Sequence, residues 1–332
     1  MKIIFFDSDT TVREVFSREL VGHECVFVDG PVTDSALQAH ADAEAVSLFV
    51  SSSLTKEQMD MLPSLKLVAA RSAGVDAIDA AHAKERAITL VRVPKYGQHT
   101  VAEFAFALML ALSRRLVEAA REVHEEGMCD PMLFEGFDLN GKTLGVVGTG
   151  NIGRAVVSIA QGFGMEVLMN DKFPASDLES ANVRYAPFEE LLARADIITL
   201  HAPYTPENHH LLGAEQFAKC KKGVVIINTA RGELIDTAAL VESLKSGQVG
   251  GAGLDVLEGE HNLKAEAEVV RDCDSLQDLK TMMRDHELMR MPRVIVTPHV
   301  AFFSREAYHD ILQITAKNIV AFASGTPENV VA

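Results

Sequence analysis

Short apolar, β-branched runs recur along the first hundred residues, at 3–6, 25–28, 45–50, 65–70 and 88–93, and helix-prone segments separate them. That alternation predicts a parallel sheet with helices on its faces. From about 99 to 126 one long helix is expected. Phe104, Phe106, Leu108, Met109, Leu110 and Leu112 give it apolar side chains on too many faces for a surface helix, so it should be buried between domains or between subunits. A second series of strand-like runs follows at 143–147, 166–169, 196–200, 224–228, 251–256 and 294–296, which predicts a second doubly wound sheet. A last helix, about 304–323, comes after that series has ended and is free to return to the first domain. The stretch 261–292 is charged, Met-rich and helix-prone, and it reads as a surface insertion, with a functional lid as the alternative.

Composition narrows the class of protein. The chain has 332 residues, enough for two cores and hence for a cleft between them. With 48% hydrophobic and 23% charged residues it is globular in composition. The net charge of -16 offers no basic field for phosphate backbones or anionic lipid, so no nucleic acid and no membrane partner is expected. A small anionic ligand would then need local positive charge. Cys25, Cys129, Cys220 and Cys273 are widely separated and lack metal spacing, so free thiols and no metal are expected. The start of the chain has no signal-peptide pattern, and no apolar run approaches the ~20 residues that cross a bilayer. A cytoplasmic protein is expected.

One motif carries cofactor chemistry. The strand at 144–147 runs into Gly148-Thr149-Gly150-Asn151-Ile152-Gly153, and a helix-like segment follows. In that setting Gly148 permits the tight turn, Gly150 lets a pyrophosphate approach the backbone, and Gly153 lets helix and strand pack closely. The pyrophosphate would sit on the free amides of the helix start. Asp171 closes the next strand, about 20 residues on, where an acid accepts hydrogen bonds from the adenosine ribose and repels a 2′-phosphate. NAD is therefore expected in preference to NADP.

Three further strand ends collect reactive side chains: Asn228-Thr229-Ala230-Arg231-Gly232, Asp255 to Glu260, and Thr297-Pro298-His299. Open α/β sheets place ligands at such ends. Arg231 suits a bidentate grip on a carboxylate. His299 suits a general acid, and Glu260 suits a partner that keeps the imidazole protonated. Singly, each has a duller explanation; together they form a set.

These residues, with His201-Ala202-Pro203 and Gly253-Leu254-Asp255-Val256, resemble the D-isomer-specific 2-hydroxyacid dehydrogenase family over nearly the whole chain. The resemblance implies a flavodoxin-like substrate domain at 1–98 plus 300–332, a Rossmann NAD-binding domain at 99–299, and an active-site cleft between two doubly wound α/β domains. It makes Arg231, Glu260 and His299 the catalytic set, Asp255 the acid that holds the nicotinamide carboxamide, and Glu258 a bystander. His201, Ala202, Pro203, Thr229 and Ala230 become cofactor contacts, while His209 and His210 read as exposed. Ala73 and Gly74 would bind the substrate carboxylate through their amides. Tyr96, Phe302 and Phe303 are similar to the pocket aromatics of the D-lactate dehydrogenase branch, which implies a small side chain such as that of pyruvate.

Other substrates on the same fold are hydroxypyruvate, glyoxylate, branched or aryl keto acids, and a phosphorylated acid for which Arg71 and Lys95 are the nearest cations. A non-catalytic NAD-sensing protein is the reading from another class. The apolar helix from about 99 points to a homodimer.

Overall fold

The computed structural model describes residues 1–127, 130–258 and 276–331. They form two compact units, Met1–Gly97 with Phe303–Ala332, and Gln98–Phe302.

The first unit has a five-stranded parallel sheet in the order β2-β1-β3-β4-β5, from β1 (Lys2–Phe5), β2 (Glu24–Phe27), β3 (Ala45–Leu48), β4 (Leu67–Ala70) and β5 (Thr89–Val91). Helices cover both faces, so strand residues are apolar without strict alternation. Ile4, Val46, Val68 and Ala70 enter one buried cluster. Ile3, Phe5, Leu67 and Ala69 enter another, which the helices Thr10–Glu19 and Arg305–Ala323 close with Phe16, Leu312 and Ile319. Each helix of this unit starts on a side-chain cap, from Asp9, Thr33, Thr55, Asp79 and Ser304 in turn. Such caps satisfy amides that have no intrahelical acceptor.

The second unit is a seven-stranded parallel sheet in the order β12-β11-β10-β9-β6-β7-β8. Its strands are β6 (Thr143–Val147), β7 (Glu166–Asn170), β8 (Val183–Tyr185), β9 (Ile197–Leu200), β10 (Val224–Asn228), β11 (Val249–Leu254) and β12 (Val294–Val296). The chain runs outward from β6 in both directions, so the order reverses between β6 and β9. That reversal opens a crevice at the carboxyl ends of the strands. The two doubly wound sheets are the architecture expected from the strand pattern.

The structure departs from the sequence reading in three places. The single helix expected at 99–126 is two, Gln98–Ser113 and Leu116–Glu126, broken where Arg115 takes a left-handed φ of 50°. The first of them buries Ala105, Phe106, Leu108, Met109 and Leu112 within the second unit, and Phe106 stacks on Phe163 at 5.3 Å. Strand β8 was not expected at all. The segment read as a surface insertion ends in a helix, Leu276–Arg290, whose Leu288 joins a core cluster and whose Asp285 is 1% exposed. Residues 259–275, which include Glu260, lie outside the described residues, as does Cys129.

Candidate active site

The glycine motif occupies the turn between β6 and the helix Asn151–Gly162. Gly148 has φ +91°, and a Cβ there would lie 2.5 Å from the Ala202 amide nitrogen and 2.6 Å from the His201 carbonyl carbon. The chain after β9 therefore closes on the turn only because this residue has no side chain. Gly153 faces the Gly148 carbonyl in the same way, whereas a Cβ on Gly150 would meet nothing within 4 Å. Gly150 is also the N-cap of a 12-residue helix and makes no side-chain cap bond. Open space in front of uncapped first-turn amides, at Asn151 and Ile152, is the form a pyrophosphate cradle takes.

Asp171 follows the neighbouring strand β7. It accepts the Thr149 amide at 2.6 Å and hydroxyl at 3.0 Å on one oxygen, and the Phe173 amide at 2.8 Å on the other. Burial acts to raise this carboxyl, but those three donors outweigh it and hold the group below its usual range. Tyr185, on the unexpected β8, completes the network at 2.9 Å from the Thr149 hydroxyl. An ionised carboxylate retains acceptor sites beyond three bonds, so Asp171 remains able to receive ribose hydroxyls. Thr149 and Tyr185 were not singled out from the sequence, since one is the variable position of the glycine motif and the other lies 36 residues away.

After β9 the His201 ring turns inward, with Nε2 2.8 Å from the Thr199 hydroxyl and Nδ1 buried without a partner among the described residues. Desolvation lowers its pKa to about 3. The sign of the consequence is fixed. The unfolded chain takes up a proton near pH 6.5 that the folded chain refuses, so this contribution to stability is complete above about pH 6.5 and fades as the pH falls toward 3. His201→Gln is expected to lose less stability than the parent between pH 6.5 and 4, in denaturant titrations at each pH; parallel curves would contradict a neutral buried ring.

The other three strand ends are adjacent in the sheet. Asn228, fully buried at the end of β10, accepts the Ala230 amide at 3.0 Å and donates to the Arg231 carbonyl at 2.8 Å. That clasp shapes the turn carrying Arg231, while the Thr229 hydroxyl is buried and unpartnered among the described residues. The Asn228 carbonyl accepts the Asp255 amide at 2.9 Å, and the Asp255 carbonyl accepts the His299 amide at 2.9 Å. The ends of β10, β11 and β12 are thus bonded in series, and Arg231, Asp255 and His299 stand on them in that order.

Asp255 organises the last of these loops. Its carboxylate accepts the Thr297 hydroxyl at 2.5 Å, the Val300 amide at 3.0 Å and the Ala301 amide at 2.8 Å. Burial raises its pKa, against the opposing pull of those donors and of His299. The loop so held keeps His299 in a left-handed conformation, φ 52°, with its ring edge-on to Phe302 at 6.3 Å. A histidine there is uncommon and is sustained only by its surroundings. The structure gives Asp255 a role the sequence did not suggest, as the anchor of the His299 loop.

In the first unit, Ala73 and Gly74 follow β4 in a turn held by the Ser72 hydroxyl, which donates to the Gly74 carbonyl, and by Arg92, which donates to the Ala73 carbonyl. The Ala73 and Gly74 amides donate to no backbone carbonyl among the described residues. Tyr96 is half-buried. Arg71 corrects an expectation: it is 0% exposed, donates to the Phe6 carbonyl and lies over the Phe49 ring, so it is no surface cation for a phosphate. Glu258, read as a bystander, is paired with a half-buried His210 at 2.7 Å.

Comparison with known proteins gives consistent matches. Residues 106–301 match the family model of the D-isomer specific 2-hydroxyacid dehydrogenase, NAD binding domain. The chain is 37% identical to the D-lactate dehydrogenase of Escherichia coli, over 92% of each. It is 36% identical to the glyoxylate reductase of Korarchaeum cryptofilum, over 87% of this chain and 83% of that one. The solved structure of the pyruvate reductase of Chlamydomonas reinhardtii superposes with a TM-score of 0.87 at 34% identity, covering 98% of this chain and 97% of that one.

Proposed function

The chain belongs to the D-isomer specific 2-hydroxyacid dehydrogenase family and binds NAD, and from that premise we propose that it reduces a small 2-keto acid, pyruvate foremost, to the D-2-hydroxy acid. The observation that carries this reading is the serial bonding of three strand ends, which sets a cation, Arg231, and an imidazole, His299, on one edge of one sheet.

When bound, NADH supplies the hydride that reduces the keto carbon. The residues of the chain do the rest. Arg231 holds the substrate carboxylate through its planar fork, with the amides of Ala73 and Gly74 as further donors. His299 delivers the proton to the carbonyl oxygen, so that no free alkoxide forms. Glu260, assigned by resemblance, keeps the imidazole charged. Gly148, Gly150, Asn151, Ile152 and Gly153 receive the pyrophosphate and Asp171 the ribose. His201, Ala202, Pro203, Thr229, Ala230 and Asp255 serve the nicotinamide side. Phe302, edge-on to His299, and Tyr96 favour a substrate with a short apolar side chain.

A homodimer is part of this reading, because Leu116, Val117 and Val123 of the helix Leu116–Glu126 are 60%, 50% and 50% exposed. So is residence in the cytoplasm, and no helix among the described residues is long and apolar enough to cross a membrane.

The deciding measurement is NADH consumption with pyruvate, hydroxypyruvate, glyoxylate, phenylpyruvate, 2-ketoisocaproate and 3-phosphohydroxypyruvate. Pyruvate is expected to give the highest kcat/KM and D-lactate the product, with the phosphorylated acid inert. Faster turnover of glyoxylate or hydroxypyruvate would reassign the substrate. NADH binding without reduction of any keto acid would leave an NAD-sensing protein in place of an enzyme.

A further inference from the structure

One side chain of the first unit is buried where its own chemistry makes burial costly. Arg71, the residue after β4, is 0% exposed, and its Nε and Nη1 have no hydrogen-bond partner among the described residues. Burial lowers its pKa to about 10, against the charge of Asp7 foremost, so the guanidinium is a cation at neutral pH. The carboxylates nearby are engaged by other donors. Asp7 accepts the Phe49 amide at 3.1 Å, the Ser51 hydroxyl at 2.6 Å and the Ser52 hydroxyl at 2.7 Å. Asp9 accepts the Val12 amide at 2.8 Å and the Tyr308 hydroxyl at 3.0 Å. A buried cation with two unsatisfied nitrogens stabilises a fold less than an apolar side chain of similar length would. Its presence has to be explained by what it holds in place.

The guanidinium reaches across the carboxyl ends of the neighbouring strands. Its Nη2 donates to the Phe6 carbonyl just past β1, and its Cζ lies over the Phe49 ring just past β3, 5.5 Å from the ring centre. The Arg71 amide donates to the Leu48 carbonyl of β3 at 2.9 Å. Phe49 is backed in turn by the Tyr308 ring at 5.8 Å, and Tyr308 by Phe303 at 5.3 Å. In the other direction the chain runs straight into Ser72, Ala73 and Gly74. The Val93 amide donates to the Ser72 carbonyl at 2.9 Å, and Arg92 donates to the Ala73 carbonyl at 3.1 Å. The turn is thus tied to the end of β5 on one side and, through Arg71, to the ends of β3 and β1 on the other.

We propose that Arg71 is a positioning residue for the keto acid: its guanidinium, braced on the Phe6 carbonyl and the Phe49 ring, fixes the turn whose Ala73 and Gly74 amides receive the substrate carboxylate, a role that rests on the carboxylate reading of that turn. The carboxylate takes no part in the bond changes of hydride transfer, so the amides grip it equally before and during the reaction. A displaced turn therefore weakens binding without slowing the chemical step. Arginine suits the task because a planar guanidinium donates in its plane and stacks through its face, whereas an ammonium has no such face. The cation was visible in the sequence, but its inward course was not. It is set by the order of β1, β3 and β4 in the sheet, which brings together residues 65 positions apart.

The test is the steady-state kinetics of Arg71→Met in the full chain, with oxamate as a competitive inhibitor that carries the same carboxylate and is not reduced. The KM for the best keto acid and the Ki for oxamate are expected to rise together by about tenfold or more, with kcat within about threefold of the parent. NADH affinity should not change, since the glycine turn lies in the other unit. The thermal midpoint should stay within about 2 °C of the parent or rise, because an apolar side chain replaces an unsatisfied cation. A merely structural role would give the opposite pattern, a lower midpoint with KM and Ki unmoved, and would overturn the assignment. Arg71→Lys keeps the charge without the planar fork and should raise KM and Ki by about threefold or more; it decides alone if the methionine variant does not fold. The parent separates the two levels of inference. No reduction of any keto acid by the parent would remove the functional reading and this role with it, whereas an active parent and a variant with unchanged KM would remove the role of Arg71 alone.

Discussion

Replacing His299 by asparagine is expected to lower turnover of the keto acid by about 10² or more while NADH binding stays near that of the parent. Asparagine is the informative substitution because of the backbone. With φ at 52°, residue 299 sits where most side chains are strained, and asparagine is among the few that tolerate it. Two bonds that place the residue are made by its main-chain amide, to the Asp255 carbonyl at 2.9 Å and the Thr297 carbonyl at 3.0 Å, and these survive the change. What disappears is a group able to give up a proton. Alanine would remove the proton and strain the loop together, and the two losses could not be separated. Steady-state kcat at pH 7, with NADH binding followed by fluorescence, checks the expectation. Near-parental kcat would remove His299 from the role of general acid.

Much of this architecture was legible because strands buried on both faces must be apolar and β-branched. Runs such as Val224 to Ile227, short and wholly β-branched, fit such strands better than a buried helix. Strand β8 escaped because it is three residues long, and only Val183 of them is buried. The break at Arg115 escaped for a different reason: no glycine or proline marks it. Its left-handed turn is held by tertiary contacts, among them the Arg115 guanidinium donating to the Leu133 carbonyl and lying over the Phe134 ring. The site divides along the same line. Glycines between a strand and a helix announce themselves, because local chemistry requires them. The bonds of Asp255 to Thr297, Val300 and Ala301 span more than 40 positions, and nothing local encodes them. Resemblance supplied an identity for Asp255, but its function as the anchor of the His299 loop needed the fold.

The same dependence on the fold makes Gly232→Ala the second large effect expected. Gly232 follows Arg231, and a Cβ there would lie 2.0 Å from the Leu257 carbonyl carbon, 2.1 Å from its oxygen and 2.4 Å from the Glu258 nitrogen. All three are backbone atoms, so no side chain can rotate away. Relief requires the turn after β10 or the loop after β11 to move by about an ångström. Overpacking of this kind destabilises by roughly 1–3 kcal/mol. The larger consequence is for geometry, since a displacement of about 1 Å in a positioning residue costs on the order of 10² in rate. Arg231 would move with the first loop, and the segment leading to Glu260 with the second. Gly162→Ala is the matched control, because a Cβ at Gly162 meets nothing within 4 Å. The expected outcome is a fall of about 10² in kcat/KM together with a lower thermal midpoint for Gly232→Ala, and neither change for Gly162→Ala. A Gly232→Ala enzyme within about twofold of the parent would mean that the close approach of these loops does not set the position of Arg231. A variant that lost stability alone would place the strain in the fold and leave the carboxylate grip to other residues.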